Sequence, residues 1–163
     1  MSTNNFNGDL TATSGASDNK TVSHMLGEIT WLLSQSQTHK HLFISDLEWM
    51  VMPAILLEQF RLFYGPNSPA AVALWAKVSK ETDQRLRDGG EHKLRMDEWK
   101  GGDIYWLIEL IAPFGAQEEI LADLSKSVFN GKPFHFHQMT KQGRTVQTID
   151  PSKEKPSKEE ELN

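Results

Sequence analysis

A chain of 163 residues with 38% apolar side chains has room for one domain with a real core. It contains no cysteine, which excludes disulfides, thiolate metal ligands and a cysteine nucleophile. Its formal charge of −5, with no basic block, argues against nucleic-acid binding.

The two ends differ from the middle. Residues 1–20 are mostly Asn, Ser, Thr, Gly and Asp, and residues 151–163 are rich in Lys and Glu with two prolines. Both read as disordered tails, leaving residues 21–150 as the folded domain. The N-terminus is polar and lacks the apolar stretch of a secretory signal, so a cytoplasmic location is expected.

From Thr21 to Ser36, Val22, Met25, Leu26, Ile29, Leu32 and Leu33 recur at three- and four-residue steps, which predicts an amphipathic helix. A polar stretch ending in His39-Lys40-His41 follows it. Ser45-Asp46-Leu47-Glu48 has the form of a capping box and predicts a second helix, bent or ended near Met52 by Pro53. Gln59–Tyr64 and Ala71–Val78 are extended runs joined by the turn-forming Gly65-Pro66-Asn67-Ser68-Pro69, an antiparallel hairpin. Ser79 is placed to cap a short helix over Lys80–Arg87, stopped by Gly89-Gly90. A polar loop, Glu91–Glu98, leads to the densest apolar run of the chain.

That run, Tyr105 to Ile111, lies between Gly101-Gly102-Asp103 and Pro113-Phe114-Gly115, and predicts a buried central strand. It is too short for a membrane span and carries Glu109. Glu118–Phe129 is helical by its spacing. Phe134–Met139 and Arg144–Ile149 form a closing hairpin around Gly143. The order α, α, β, β, α, β, α, β, β makes a single mixed α/β (α+β) domain with a mostly antiparallel sheet flanked by helices.

Few residues carry chemistry on their own. His39, in a loop after a helix, is a candidate general base, and Asp103 is an acid at the mouth of the central strand. The ordinary alternatives are a solvated loop histidine and a turn aspartate bonded to backbone amides. His135 and His137 share one strand face, a spacing that suits a metal, but no third ligand is evident. Phosphate-binding glycine loops and a GxSxG elbow are absent from the sequence.

Four segments together resemble a known family. They are Leu26-Gly27 with Trp31 and Ser36-Gln37-Thr38-His39; Pro53-Ala54-Ile55 with Gln59; Pro69 through Trp75-Ala76 and Ser79; and Trp99-Lys100-Gly101-Gly102-Asp103 with Trp106 and Ile111-Ala112-Pro113-Phe114-Gly115. In this order and at these gaps they resemble the RTX toxin-activating protein-lysine acyltransferases, which fatty-acylate internal lysines of a protoxin. The resemblance implies a GNAT-like fold and a homodimer. It implies acyl-acyl carrier protein as the acyl-donating cosubstrate, with no bound cofactor or metal, and an RTX protoxin as acceptor. It places the essential histidine on His39, the essential aspartate on Asp103 and a supporting serine on Ser36. Gln37 replaces a family proline, Ile104 a basic residue and Glu109 a family aspartate late in the strand.

The implied reaction is attack of a lysine amine on a thioester, with His39 as base and Asp103 orienting it, or with His39 itself taking the acyl group. Because acyl carrier protein is acidic, the basic residues Lys77, Lys80, Arg85, Arg87, Lys93 and Arg95 form a candidate docking cluster, although Glu81, Asp83, Asp88 and Glu91 are interspersed. Two other readings stand beside this one: a catalytically inactive GNAT-like partner-binding protein, and a CoA-dependent acetyltransferase.

Overall fold

The computed structural model describes residues 10–14 and 20–153. It contains one six-stranded sheet in the order β1-β2-β3-β4-β5-β6, made of β1 (Thr11–Ser14), β2 (Phe60–Tyr64), β3 (Pro69–Val78), β4 (Ile104–Ile111), β5 (Phe134–Thr140) and β6 (Gly143–Ile149). All neighbours are antiparallel except β4 and β5. The domain is α+β, as expected. The folded region starts earlier than expected, because Thr11–Ser14 pairs along β2 as an edge strand. Those residues have no apolar pattern; they are extended because β2 offers a free row of backbone groups. Lys20 also joins the fold, donating to Glu28 and Tyr64, and Pro151–Lys153 forms a 3₁₀ turn; residues 1–9, 15–19 and 154–163 of the expected tails lie outside the described residues.

The helices form where the apolar spacing puts them. On one face of the sheet lie α1 (Val22–Gln35), α2 (Asp46–Met50), α3 (Met52–Leu56) and α4 (Lys80–Arg87). Thr21 caps α1, its hydroxyl accepting from the His24 N–H, and Ser79 caps α4 by accepting from Thr82. The expected capping box at Ser45 does not form. Asp46, the first residue of α2, instead reaches back, its carboxylate accepting from the Phe43 N–H and from the Trp49 indole. Pro53 sits in the first turn of α3, where a missing N–H costs nothing, so the helix restarts rather than bends. These helices bury Ile29, Leu32, Met50, Val51, Ala54 and Leu86 against Leu62, Val72, Leu74, Trp106 and Ile111.

On the opposite face, α5 (Gln117–Asp123) and a π-helical turn (Leu124–Val128) close a second core around Phe129, Phe134, Trp75 and Leu107. The expected single helix over residues 118–129 is thus an α-helix that widens in its last turn. The polar loop before β4 contains a 3₁₀ turn, Met96–Trp99, that puts Trp99 at 0% exposure. Buried Gln59 ties this turn to β3, donating its amide hydrogens to the carbonyls of Trp75 (3.1 Å) and Trp99 (2.8 Å).

β4 organises the site. Its pairing with β3 runs from Val78↔Ile104 to Val72↔Ile111 with a bulge at Ile108, so that Leu74 faces Glu109. Its pairing with β5 covers only Tyr105–Leu107 with Phe134–Phe136. Beyond Leu107 the two strands are no longer hydrogen-bonded, and β4 continues to Ile111 with that side of its backbone open.

Candidate active site

A carboxylate in the middle of an apolar strand has to find a partner or stay wet. Glu109 finds His39. The His39 Nε2 lies 2.9 Å from the Glu109 Oε2, with side chains 15% and 32% exposed. The bulge at Ile108 turns Glu109 toward the helical face, where the loop after α1 carries the histidine.

The other ring nitrogen meets two hydroxyls. Ser36 Oγ is 2.7 Å and Thr38 Oγ1 3.0 Å from His39 Nδ1, and the hydroxyls are 3.2 Å from each other. A carboxylate only accepts hydrogen bonds, so Nε2 carries the proton and Nδ1 presents the lone pair. Ser36 is buried at the C-terminal cap of α1, while Thr38 is exposed and marks the solvent side. The loop is rigid for a local reason: the backbone N–H groups of His39 and Lys40 both donate to the Ser36 carbonyl.

Asp103 is elsewhere. It is exposed in the bend before β4, at the opposite end of the strand from Glu109, on the order of 15–20 Å away at about 3.3 Å per residue. The expected pairing of His39 with Asp103 is therefore corrected to His39 with Glu109. The Gly-Gly before Asp103 has a packing cause. A Cβ on Gly102 would lie 2.7 Å from Ser79 Cα and closer still to the Val78 carbonyl oxygen.

The six basic residues do not form one surface. Lys77 lies over the Tyr105 ring, 5.5 Å from its centroid, and Arg87 lies over Trp106, 5.9 Å away. Tyr105 and Trp106 pack into different cores, so the sheet separates these two cations. Arg85 pairs with Glu98 at 2.7 Å, Arg87 with Asp83 at 3.0 Å and Arg95 with Asp97 at 3.1 Å. Lys93 lies 5.3 Å from the Trp49 ring centroid, and Lys80 is exposed on α4. Arg85, Lys93 and Arg95 line one surface groove, together with Trp49, Met52, Leu56 and Met96 and the acids Asp46, Glu48, Glu91 and Glu98.

His135 and His137 do share a face, but both ring nitrogens of His135 and the Nε2 of His137 are engaged by protein groups. His137 Nε2 donates to the Leu86 carbonyl (2.9 Å), and His135 bonds Arg87 and Thr148. The signal that sequence reasoning missed was Glu109 itself, the lone acid between Ile108 and Leu110 in the central strand.

An α+β domain that holds an imidazole between a carboxylate and a hydroxyl, beside the open edge of a central strand, has the parts of a general-base site. Residues 18–153 match the RTX toxin acyltransferase family, and the chain belongs to that family. The RTX-II toxin-activating lysine-acyltransferase ApxIIC of Actinobacillus pleuropneumoniae is 38% identical over 93 residues, 56% of this chain and 57% of that protein. The protein-lysine myristoyltransferase RtxC of Kingella kingae is 36% identical over 90 residues, 55% of this chain and 53% of that protein. An uncharacterized protein of Synechocystis is 28% identical over 130 residues, 78% of this chain and 88% of that protein. The chain thus spans little more than half the length of these two acyltransferase relatives. Among the described residues no helix is long and apolar enough to cross a membrane.

Proposed function

We propose that this protein is a protein-lysine acyltransferase that moves a fatty acyl group from acyl-acyl carrier protein to lysine ε-amines of an RTX protoxin. The observation that carries the reading is the His39–Glu109 pair with its Ser36 hydroxyl, in a member of a family of toxin acyltransferases.

A lysine amine of pKa about 10.4 is almost fully protonated near pH 7 and cannot attack until its proton is removed. His39 Nδ1 accepts that proton, either directly after the amine displaces Thr38 or through the Thr38 and Ser36 hydroxyls. Glu109 holds the Nε2–H and stabilises the imidazolium. The amine nitrogen bonds the thioester carbon, the carbon–sulfur bond breaks, and the imidazolium returns its proton to the departing thiolate; the neutral His39 then takes the second proton from the new amide nitrogen and releases it to water. The open backbone edge of β4 beyond Leu107 suits the amides of a pantetheine arm, which would add to it as an extended strand does. Trp31 and Phe114, with ring centroids 5.9 Å apart, join the elements that carry His39 and Glu109 and offer an apolar wall for an acyl chain.

A carrier protein is favoured over CoA as donor by the start of α5. Its first turn carries Glu118 and Glu119, and its cap position, Ala116, bonds no amide through a side chain. Acid at a helix N-terminus repels a pyrophosphate that such an end would otherwise attract. The carrier would dock along the groove edged by Arg85, Lys93 and Arg95.

The test is acylation of a co-expressed RTX protoxin, read as a fatty-acyl mass increment on lysine. The parent chain transfers and His39→Ala does not. A parent chain that leaves the protoxin unmodified and binds it tightly would favour the partner-binding reading instead. Measurable CoA binding by calorimetry would favour the CoA-dependent one.

A further inference from the structure

Away from His39, a second polar chain crosses the molecule in the short stretch where β4 and β5 are joined, one pair before the last. Trp106 and His135 are register partners there. The Trp106 indole, 1% exposed, donates to Asp83 Oδ1 on α4 at 2.8 Å. Arg87, one helical turn on, donates from Nε to both oxygens of the same carboxylate, at 3.1 and 3.0 Å. The terminal nitrogen of Arg87 then lies 2.9 Å from His135 Nε2 on β5. A guanidinium has no acceptor, so His135 Nε2 must be the unprotonated nitrogen. The proton sits on Nδ1 and is donated to the Thr148 hydroxyl on β6 at 2.8 Å. The chain therefore runs β4, α4, β5, β6. The sheet itself joins β4 to β5 only at Tyr105–Leu107, two residues short of Glu109.

We propose that Arg87 is a positioning residue for acyl transfer: it ties the β5–β6 hairpin to Asp83 and Trp106 at the vertex of the gap beside Glu109, and so sets the width of that gap. This rests on the reading of His39 and Glu109 as the transfer site.

The tie needs a neutral His135. Burial and the Arg87 charge push its pKa below the ordinary histidine value, against a smaller opposing pull from Asp83. Arg87 and Asp83 reach it from α4, Trp106 from β4 and Thr148 from β6, with His137 on its own strand. The sign follows. The unfolded chain takes up a proton as pH falls through about 6.5, while the folded chain resists, so the tie weakens on acidification and is intact above that value.

The experiment uses the full chain, a myristoyl-loaded acyl carrier protein and an RTX protoxin. Arg87→Lys keeps the charge but loses the fork, and Asp83→Asn makes the surface less acidic. Both should raise the KM for the carrier about tenfold with kcat within about threefold, a smaller loss than the ~10²-fold that a 1 Å misplacement at the reacting atoms can cost. A carrier-docking role for Arg87 predicts the opposite, with the lysine variant unchanged and Asp83→Asn improved. His135→Gln, which accepts from Arg87 without titrating, should keep the neutral-pH KM and flatten its rise on acidification. Amide exchange at Phe134–Phe136 should quicken in Arg87→Lys, and nitrogen NMR should show the Nδ1–H form of His135 at pH 7. An unchanged KM and unchanged exchange in Arg87→Lys, or an Nε2–H ring, overturns the proposal. A parent chain without transfer activity overturns the functional reading and this role with it, while exchange and ring NMR still decide whether the tie exists.

Discussion

An acid precedes β4 and another lies near its far end, and the two acids have opposite circumstances. Asp103 is exposed at the entry, behind a glycine that lets the chain pass against Val78 and Ser79. Glu109 lies toward the exit, turned by a bulge onto the helical face, where it meets His39 at 2.9 Å. The entry is held by backbone on both sides, since β4 is paired there with β3 and then with β5. The exit is held on one side only. A rigid entry and an open exit teach that the partner a carboxylate meets is set by strand register and by where the sheet stops pairing, not by its place beside a turn.

The sharpest way to break this comparison is to remove each acid in turn. Glu109→Ala and His39→Ala should each lower the rate of protoxin acylation by about 10² to 10⁴, the usual contribution of a general base and its support. Asp103→Ala should stay within about threefold of the parent, because its contacts are with solvent. Glu109→Asp should retain more activity than Glu109→Gln, since the first keeps the charge that stabilises the imidazolium. Equal losses at Asp103 and Glu109 would end the distinction between the two ends of the strand.

The entry can be broken by volume instead. Gly102→Ala should destabilise the fold by about 3 kcal/mol, the upper range for overpacking against backbone that cannot rotate away, read as a fall in the urea midpoint. The same change at Gly27, where an added Cβ meets nothing within 4 Å, should raise stability by about 0.5–1 kcal/mol through better helix propensity.

Acid sensitivity separates the two regions more finely. Burial disfavours the charged Glu98 carboxylate, but Arg85, the Arg95 N–H and the Thr82 hydroxyl outweigh it and hold its pKa below the ordinary glutamate value. A carboxyl depressed in the folded state stabilises fully above its unfolded pKa of about 4.3, and that stability is lost as pH falls through the lower folded value. Thermal melts of the parent should therefore drop below about pH 4.3, while Glu98→Gln should melt lower at neutral pH with a shallower acid limb. The smallest effect is expected at the groove rim. Lys93→Glu with Arg95→Glu should raise the KM for acyl carrier protein by about two- to fivefold, the size expected of exposed charges. An unchanged KM would move the docking surface elsewhere.

Much of this was legible beforehand because it rests on short-range rules. Apolar periodicity marks α1, Ser79 marks α4, and the length and flanks of residues 104–111 mark the central strand. His39 was legible as a candidate base, and the histidines of β5 as face-sharing neighbours. β1 was not legible, because a strand of Thr, Ala and Ser takes its conformation from its partner. The failure of the Ser45 capping box was not legible, because the serine pattern fits the rule while Asp46 bonds back to Phe43 instead. The widened last turn of α5 leaves no trace in the spacing.

By itself the sequence determined the class of the fold, His39 as a candidate base and the family resemblance, all of which depend on local pattern and on residue identity. Only the tertiary structure decided which acid the histidine meets. Asp103 stands in the bend just before β4 and Glu109 within it, and nothing local distinguishes them as partners for a loop far away in the chain. The choice is made by the bulge at Ile108 and by the point where β5 leaves β4. Both are properties of three strands in register, which no segment of one strand encodes.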